Sequence, residues 1–417
     1  MELPKRGTPR EEVIANIRSR KQGDADWRGG KTWSLIYPAG DDVDEVLREA
    51  NELYLYENAL NPFRFPSLRQ MEVDVVEMTG HMLHAPDGFG GAMSSGGTES
   101  ILLGVLTARE RAKAERGVTR PEMVAPYSAH PAFAKAAKVL GIELHQVPLD
   151  DACRARVDEA EALINENTVL VVGSAPQYPQ GVIDDIQAIA ALAADGGFSC
   201  HVDACMGGFV LPFAEMLGRE VPPWDFRVDG VTTISADVHK LGYAPKGVSV
   251  ILHRTRELRR YQTFVFDDWL GGFYASPNLQ GSRSGLPMAA AWAVMQHLGV
   301  DGYVDLTRTV LENADRMRAG IEDVDGIRVL GDPRFHLLAI AADPEADEPI
   351  DVFALGDELA TDGWFHDRQG PPDSLHATVS NSNSGVIDDY VGAIGRAVAK
   401  IRGSEADDRS TSYSTID

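Results

Sequence analysis

Short apolar segments alternate with longer amphipathic segments through the middle of the chain. The apolar segments lack a strict alternation of polar residues, which predicts strands buried on both faces. They span residues 168–173, 199–203, 231–235 and 248–252. The amphipathic segments over 156–165 and 184–194 predict helices. This pattern favours an α/β fold with a mostly parallel, helix-covered sheet, and such sheets bind ligands at the carboxyl ends of their strands.

The pattern changes at about residue 301. An amphipathic stretch over 301–320 precedes a predicted strand near 327–330, an apolar run over 335–341 and a predicted last helix over 385–401. These elements predict a smaller C-terminal α+β domain. We therefore divide the chain into an N-terminal arm that packs on a neighbouring subunit, a large domain, a small domain and a polar, disordered tail. Their predicted bounds are 1–53, 54–300, 301–403 and 404–417.

The balance of charge excludes some classes of partner. The 417 residues include 39 basic and 63 acidic ones, which gives a formal net charge of −24. An acidic protein of this kind is a poor match for a nucleic acid or an anionic membrane surface. A phosphorylated small molecule would need a local basic pocket.

The cysteines and the N-terminus bear on the location of the protein. Cys153, Cys200 and Cys205 have no metal-ligand spacing, and such sparse, odd usage indicates a reducing compartment and no bound metal. The first residues, MELPKRGTPREEVIANIRSRKQ, are charged throughout and contain no apolar signal segment. We expect a cytoplasmic protein without a membrane anchor.

A glycine-rich turn opens a predicted helix at SSGGTES, residues 94–100. Unpaired N–H groups and the positive end of the helix dipole make such a turn a seat for a phosphate group. The alternative is an ordinary helix start with Ser95 or Thr98 as the N-cap residue, which is equally compatible with this segment alone.

Two ionisable residues follow predicted buried strands. Asp203 ends the strand in HVDACMGGF, and Lys240 follows the next strand in SADVHKLGYAPKG. A desolvated lysine can form a Schiff base. Taken singly, the aspartate could be a core carboxylate and the lysine a surface residue. Together with the glycine-rich turn, however, they predict a pyridoxal phosphate site, since that cofactor needs a phosphate anchor, an acid near its ring nitrogen and a lysine for its aldehyde.

Residues from about 32 to 403 resemble the group II decarboxylase family of fold-type I pyridoxal phosphate enzymes. Within it, the chain is most similar to the sphingosine-1-phosphate lyase branch. The resemblance is carried by the ordered motifs SSGGTESILLG, SAPQYPQGVID, HVDACMGGF, SADVHKLGYAPKG and YASPNLQGSRSG. It implies the fold-type I architecture, in which a large domain with a mostly parallel sheet carries a smaller C-terminal α+β domain.

The resemblance also implies roles for individual residues. Lys240 corresponds to the Schiff-base lysine, Asp203 to the partner of the ring nitrogen and His130 to the imidazole that stacks on the ring. Cys205 would lie beside the ring, and Ser174 is a weaker candidate partner of the phenolic oxygen. Phosphate-binding positions of the family match Gly97, Thr98, His239 and, from the second subunit of a homodimer, Ser282.

The lyase branch is favoured by two features. One is the sequence DAC that ends in Cys205, where many decarboxylases have DAA, and the other is Lys246, which in the lyases is associated with the substrate phosphate. A lysine–phosphate pair would form a strong charge-assisted contact. The alternative for Lys246 is a surface or structural ion pair.

One residue departs from the family pattern. Asn61, in NALNPFRFPSLRQME, stands where sphingolipid-cleaving members carry a histidine. Asparagine can hydrogen-bond a substrate oxygen, but it cannot act as a general acid or base.

The function predicted from these residues is that of a carbon–carbon lyase. It would convert a phosphorylated amino alcohol, or a similar small-molecule amine, into an aldehyde and an aminoalkyl phosphate. A group II amino-acid decarboxylase is the alternative. A catalytically idle dimer of the same fold is a third possibility, but it is disfavoured because Asp203, Lys240 and His130 are all present.

Overall fold

The computed structural model describes residues 1–411 of the chain. The helices are α1 Arg10–Arg20, α2 Asp41–Leu53, α3 Pro66–Met82, α4 Gly97–Arg116, α5 Ala132–Leu140, α6 Val157–Leu163, α7 Ile186–Gly196, α8 Leu211–Met216, α9 Arg256–Arg260, α10 Gly285–Glu322, α11 Val352–Thr361 and α12 Ile387–Ile401. The strands are β1 Gly90–Ser94, β2 Glu122–Pro126, β3 Glu143–Val147, β4 Thr168–Ser174, β5 Ser199–Asp203, β6 Val231–Ala236, β7 Ser249–His253, β8 Phe264–Phe266, β9 Tyr274–Ser276, β10 Ile327–Val329, β11 Leu337–Ala342, β12 Asp367–Gln369 and β13 Ser374–Thr378.

Within residues 1–411, the large sheet has seven strands in the order β1-β7-β6-β5-β4-β2-β3. The strands β6, β5, β4, β2 and β3 are parallel, as the buried apolar segments predict. The predicted strand at 248–252 is β7, which runs antiparallel to both of its neighbours. The α/β fold class with a mostly parallel sheet is confirmed.

Three strands of the large sheet were not predicted from the sequence. β1 is rich in glycine, and β2 ends in a proline. β3 is an edge strand, and most of its residues are exposed or only partly buried. None of them is a continuous apolar run, so a search for segments buried on both faces passes over them.

A second, antiparallel sheet has the order β10-β11-β13-β12 and carries α11 and α12. The predicted boundary at residue 300 falls inside α10, next to Gly299, whose φ of 55° and ψ of −173° interrupt the helix. The two cores divide further along the same helix. Leu311 still packs in the core of the large sheet, whereas Ala314 and Met317 pack in that of the second sheet.

The N-terminal segment is divided between two environments. None of the side chains of α1 is buried within the described chain. Thr32, in contrast, forms a bridge with Phe365, and Trp33 is fully buried in the core of the second sheet, 4.4 Å from the ring of Tyr390 between centroids. The arm predicted over 1–53 therefore includes residues that complete the small domain.

The C-terminal tail predicted over 404–417 lies partly outside the described residues. Of the part that is described, Arg409 forms ion pairs with Asp351 and Asp373. None of the helices in residues 1–411 has the length and apolar character that a membrane crossing requires.

Candidate active site

The carboxyl ends of β4, β5 and β6 surround a cavity of about 280 Å³. Ser174 pairs with Asp203, and Asp203 pairs with Ser235, so these parallel strands end at the same edge. The predicted site residues that line the cavity are Gly97, Thr98, His130, Ser174, Asp203, Cys205, His239 and Lys240. The sequence pattern and the resemblance thus point to residues that the fold brings together.

The turn before α4 approaches the cavity closely because glycines occupy it. Gly96 has a φ of +150°, which favours glycine. A Cβ at Gly97 would lie 2.8 Å from Asp237 Oδ2 and 2.9 Å from Cys205 Sγ, so only glycine leaves this space clear. The N-cap residue is Gly96, and within residues 1–411 no side chain caps the helix. The alternative N-cap at Ser95 or Thr98 is therefore wrong, and the first amides of α4 remain available to an anion.

Glu99 holds this turn in place from the first turn of the helix. Its carboxylate accepts hydrogen bonds from the Ser95 amide at 2.7 Å and from the Leu279 amide at 2.9 Å. The segment that follows β9 is thereby tied to the glycine-rich turn. No pattern in the sequence predicted this role of Glu99.

Lys240 lies in the loop after β6 with its side chain 16% exposed. Its Nζ lies 3.0 Å from Asp237 Oδ2, and His239 Nε2 lies 3.7 Å from the same oxygen. Burial would raise the pKa of Asp237, but the charges of Lys240 and His239 outweigh it and bring the pKa below its ordinary value. Asp237 is therefore the counter-ion of this loop. Asp237 was not among the predicted site residues, although an acid three residues before Lys240 was a usable signal.

Asp203 projects from the end of β5 and is 8% exposed. Its Oδ1 accepts hydrogen bonds from the Cys205 amide at 3.0 Å and from Ser235 Oγ at 3.2 Å. Two donors on one oxygen fix the orientation of the carboxylate, and Oδ2 is left for a partner in the cavity. Such an acid can bind a protonated ring nitrogen.

His130 precedes α5 and is partly buried. Its Nδ1 accepts a hydrogen bond from the Ala132 amide at 3.1 Å. Burial lowers the pKa of His130, and the charge of Lys240 lowers it further, although Asp203 and Asp237 oppose this shift. The neutral ring, with its proton on Nε2, can stack on a flat ligand in the cavity.

Ser174 and Cys205 complete the wall between β4 and β5. Ser174 Oγ is buried and has no hydrogen-bond partner among the described residues, so a ligand oxygen would satisfy it. Burial raises the pKa of the Cys205 thiol well above its ordinary value, and the charges of Asp203 and Asp237 add to this. Cys205 is therefore a neutral contact surface and not a nucleophile.

Three predicted site residues do not line the cavity. Lys246 Nζ donates a hydrogen bond to the carbonyl oxygen of His239 at 3.0 Å and lies 4.4 Å from the ring centroid of Tyr37. Asn61 is exposed, and its Oδ1 accepts from the Phe63 amide at 3.0 Å. Ser282 is also exposed.

Asn58, which the sequence analysis did not consider, contacts Ser282. Its Nδ2 donates to Ser282 Oγ at 3.1 Å, and its Oδ1 accepts from the Arg283 amide at 3.2 Å. The segment around Asn61 and the loop of Ser282 therefore run side by side on the surface of the chain.

Tyr178 is a cavity residue that the sequence analysis missed. It follows Pro176 in the motif SAPQYPQGVID, lines the cavity and donates from its hydroxyl to Asp367 Oδ2 at 2.8 Å. The ring of His376 stacks on it at 3.9 Å. His376 is fully buried and supports Tyr178 from the second sheet. The motif contained the tyrosine, but its supporting residues lie almost two hundred positions away.

The residues around the cavity fit pyridoxal phosphate. The amides of Gly97 and Thr98 and the imidazole of His239 can bind its phosphate group. Lys240 can bind its aldehyde, Asp203 its ring nitrogen, and the unsatisfied Ser174 hydroxyl one of its oxygens. The donors and acceptors of the cavity therefore match the groups that the cofactor carries.

Comparisons with known proteins agree with this chemistry. Residues 3–340 match the family described as the pyridoxal-dependent decarboxylase conserved domain. A sphingosine-1-phosphate lyase from Arabidopsis thaliana is 38% identical over 94% of this chain and 72% of its own length. A probable L-aspartate decarboxylase from Pyrococcus furiosus is 33% identical over 81% of this chain and 89% of its own length.

A solved structure shares the whole architecture. The sphingosine-1-phosphate lyase from Burkholderia pseudomallei superimposes with a TM-score of 0.93 and is 40% identical. The superposition covers 97% of this chain and 93% of the Burkholderia chain. The likeness therefore extends over both sheets.

Proposed function

Since the chain belongs to the pyridoxal-dependent decarboxylase family, we propose that it cleaves a phosphorylated amino alcohol of the sphingosine-1-phosphate type. The fold-type I architecture, the use of pyridoxal phosphate and the lyase class, all predicted from the sequence, are confirmed. The proposed reaction breaks the bond between the carbon that bears the amine and the carbon that bears the hydroxyl. Its products are an aldehyde and an aminoalkyl phosphate.

The proposed roles of the residues follow from their places around the cavity. Lys240 would hold the cofactor covalently through Nζ, and Asp203 would bind its ring nitrogen. His130 would stack on the ring, with Cys205 beside it, and Ser174 would donate to the phenolic oxygen. Gly97, Thr98 and His239 would bind the phosphate group, and these assignments rest on the cavity lining and on the hydrogen bonds of each side chain.

The bound cofactor would supply an electron sink for the pair of electrons that the broken bond releases. The protein has to remove the proton of the substrate hydroxyl, so that its oxygen becomes the aldehyde oxygen. We propose Lys240 Nζ as the acceptor of this proton, because Asp237 Oδ2 lies 3.0 Å away and stabilises the resulting ammonium group. The same amine can then return a proton to the carbon that keeps the nitrogen.

The position of Lys246 is the observation that most favours a phosphorylated substrate. Lys246 is on the same loop as Lys240, and its Nζ donates a hydrogen bond to the carbonyl oxygen of the cavity residue His239. It supplies a local cation in a chain whose net charge is −24. The phosphate group of such a substrate could reach Lys246 Nζ while its amino group enters the cavity. We propose Asn61 as a further residue that binds the substrate.

Product analysis tests the proposed function. Purified protein loaded with pyridoxal phosphate is incubated with sphingosine 1-phosphate or a short-chain analogue, and with aspartate and aromatic amino acids in parallel. We expect aldehyde and aminoalkyl phosphate in equal amounts. Carbon dioxide from an amino acid, without aldehyde, would instead assign the protein to the decarboxylases, in agreement with its Pyrococcus furiosus relative.

Lys246 gives the reaction a predicted dependence on pH. Burial lowers the pKa of Lys246 to about 8, and the charge of Lys240 acts in the same direction. The amine is charged below that pH and neutral above it, so we expect kcat/KM for a phosphorylated substrate to fall as the pH rises through 8. Replacing Lys246 by alanine should raise KM about 10-fold at neutral pH, the usual effect of one hydrogen bond to a charged group.

An arginine at the same position is the matched control for this prediction. Lys246→Arg keeps its charge at all accessible pH values, so the decrease near pH 8 should disappear while KM at neutral pH stays low. A phosphate-free substrate should show no difference between the three proteins. Equal KM values for Lys246→Ala and the unaltered protein would exclude Lys246 from substrate binding.

We also propose a homodimer in which Ser282 of each chain reaches the phosphate site of the other. This is supported by the exposure of Ser282 and by the apolar hairpin β8–β9 that precedes it, where Phe264, Trp269, Leu270 and Phe273 are exposed. Large exposed apolar patches of this kind usually mark an interface. Mass measurement in solution should give a dimer, and dilution to monomers should weaken cofactor binding. Tight cofactor binding by a monomer would contradict the shared site.

A cytoplasmic location is a further part of the proposal. Its support is chemical, since Cys153, Cys200 and Cys205 are all free thiols and two of them are buried. Free cysteines are usual in reducing compartments. Fractionation of cells that express the protein should recover it with other cytoplasmic enzymes.

A further inference from the structure

A continuous row of hydrogen bonds lies behind Asp203. Ser235 Oγ is 3.2 Å from Asp203 Oδ1 and 3.1 Å from His201 Nε2. His201 Nδ1 is in turn 2.8 Å from Thr233 Oγ1. The row forms because β5 and β6 are parallel neighbours, with His201 opposite Thr233 and Asp203 opposite Ser235. Residues two apart share one face of a strand, so the four side chains meet in a line.

The protons of this row can be assigned from chemistry. An ionised carboxylate only accepts hydrogen bonds, so the hydroxyl proton of Ser235 points to Asp203. Ser235 Oγ must then accept the N–H of His201, whose proton is therefore on Nε2. The bare Nδ1 accepts the hydroxyl proton of Thr233. Every donor in the row thus points towards Asp203.

The surroundings of His201 keep it in this form. Its side chain is fully buried, and burial lowers the pKa of His201 to about 4, although Asp203 opposes the shift. α4 packs against the ring so closely that a Cβ at Gly104 would lie 2.8 Å from Nδ1. The edge of Phe133 covers another side, and the nearby titratable group on β7 is His253, which is itself buried.

The other titratable groups near this row belong to the cavity. Cys205 Sγ lies 3.4 Å from Ser235 Oγ, and its thiol is neutral because burial raises its pKa. His130, Lys240 and Asp237 line the cavity on the other side of Asp203. The Cys205 thiol is itself a donor to Ser235 Oγ, but S–H is a weaker donor than the N–H of His201.

We propose that His201 and Ser235 are positioning residues that hold Asp203 Oδ1 in place, so that Oδ2 faces the cavity. The inference rests on the proposed role of Asp203 at the ring nitrogen of the cofactor. Ser235 Oγ can donate to Asp203 Oδ1 with a fixed orientation because its own oxygen accepts from His201. The donor row therefore fixes the direction in which the carboxylate meets the ring nitrogen. Neither residue touches the cofactor in this scheme.

Two near-isosteric variants separate positioning from packing. In His201→Gln the side-chain N–H can occupy the place of Nε2 and still donate to Ser235. In His201→Asn the shorter amide reaches only the place of Nδ1, so the donor to Ser235 is lost. Both variants keep a polar group of moderate size between β5 and β6. Ser235→Ala removes a single oxygen, and with it the hydrogen bonds of that oxygen to Asp203 and to His201.

The measurement is the affinity of the apoprotein for pyridoxal 5′-phosphate, by equilibrium dialysis at neutral pH. We expect His201→Asn and Ser235→Ala to bind the cofactor about 10-fold more weakly than the unaltered protein, as for the loss of a hydrogen bond to a charged group. His201→Gln should stay within about threefold of the unaltered protein.

Asp203→Asn distinguishes a failure of this inference from a failure of the role proposed for Asp203. If Asp203→Asn binds the cofactor as the unaltered protein does, Asp203 does not bind the ring nitrogen and the premise is wrong. If Asp203→Asn binds weakly while His201→Gln and His201→Asn behave alike, the donor row has no effect on Asp203. An unchanged affinity of Ser235→Ala for the cofactor would overturn the inference even if both His201 variants fold poorly.

Discussion

Replacing Lys240 by alanine should reduce turnover by a factor on the order of 10⁴ to 10⁶, as removal of a covalent catalytic residue does in other enzymes. The variant loses both the amine that would hold the cofactor and the acceptor of the hydroxyl proton. The retained cofactor after dialysis should fall together with turnover. Both are measured on the same preparation, by the visible absorbance of bound cofactor and by the release of aldehyde.

Lys240→Arg is the informative companion of this variant. It keeps the positive charge beside Asp237, whose carboxylate lies 3.0 Å from the lysine amine, so the ion pair of the loop can survive. A guanidinium group is nevertheless a poor nucleophile and a poor base, and turnover should remain as low as in Lys240→Ala. Substantial turnover by either variant would contradict the role of Lys240. A loss of thermal stability confined to Lys240→Ala would identify the separate contribution of the ion pair.

Replacing Asp203 by asparagine should lower kcat by about 10²- to 10³-fold, the usual effect of removing one electrostatic stabiliser from an active site. Asparagine is nearly isosteric, and its amide oxygen can still accept from the Cys205 amide and from Ser235. The variant therefore loses the negative charge that would keep the ring nitrogen protonated, and KM should change less than kcat. Steady-state kinetics on short- and long-chain substrates measures this difference.

Asp225→Asn is a matched control for the loss of a buried charge. Asp225 is fully buried and paired with His84 and Arg227, but it does not line the cavity. We expect this variant to be less stable and to keep its kcat. If Asp203→Asn and Asp225→Asn lowered kcat equally, the effect at Asp203 would be a general consequence of destabilisation and not of its place at the cavity.

The parts of the site that the sequence revealed are those whose geometry is local. Asp203 ends a buried parallel strand, and the carboxyl ends of parallel strands lie at one edge of the sheet. Ser174, which only the family resemblance indicated, ends the neighbouring strand. Gly97 and Thr98 belong to a turn whose chemistry is complete within a few residues. Lys240 follows the neighbouring strand, so it reaches the same edge by the same rule.

The residues that the sequence did not reveal act through distant partners. Tyr178 depends on Asp367 and His376, which the small domain places behind it. Asp237 is the exception, because it lies only three residues before its partner Lys240. Trp33, in contrast, completes the core of the second sheet from the far end of the chain. Short-range patterns contain no record of such contacts.

Taken by itself, the sequence determined the fold class, the cofactor and the edge of the sheet at which the cofactor would bind. These follow from periodicity, from glycine spacing and from the order of an acid and a lysine, all of which act over a few residues. Only the tertiary structure decided that Lys246 and Asn61 lie outside the cavity, and that His201 and Ser235 connect to Asp203. These contacts depend on how separate strands and loops pack against one another, and packing brings together residues that are far apart in the sequence.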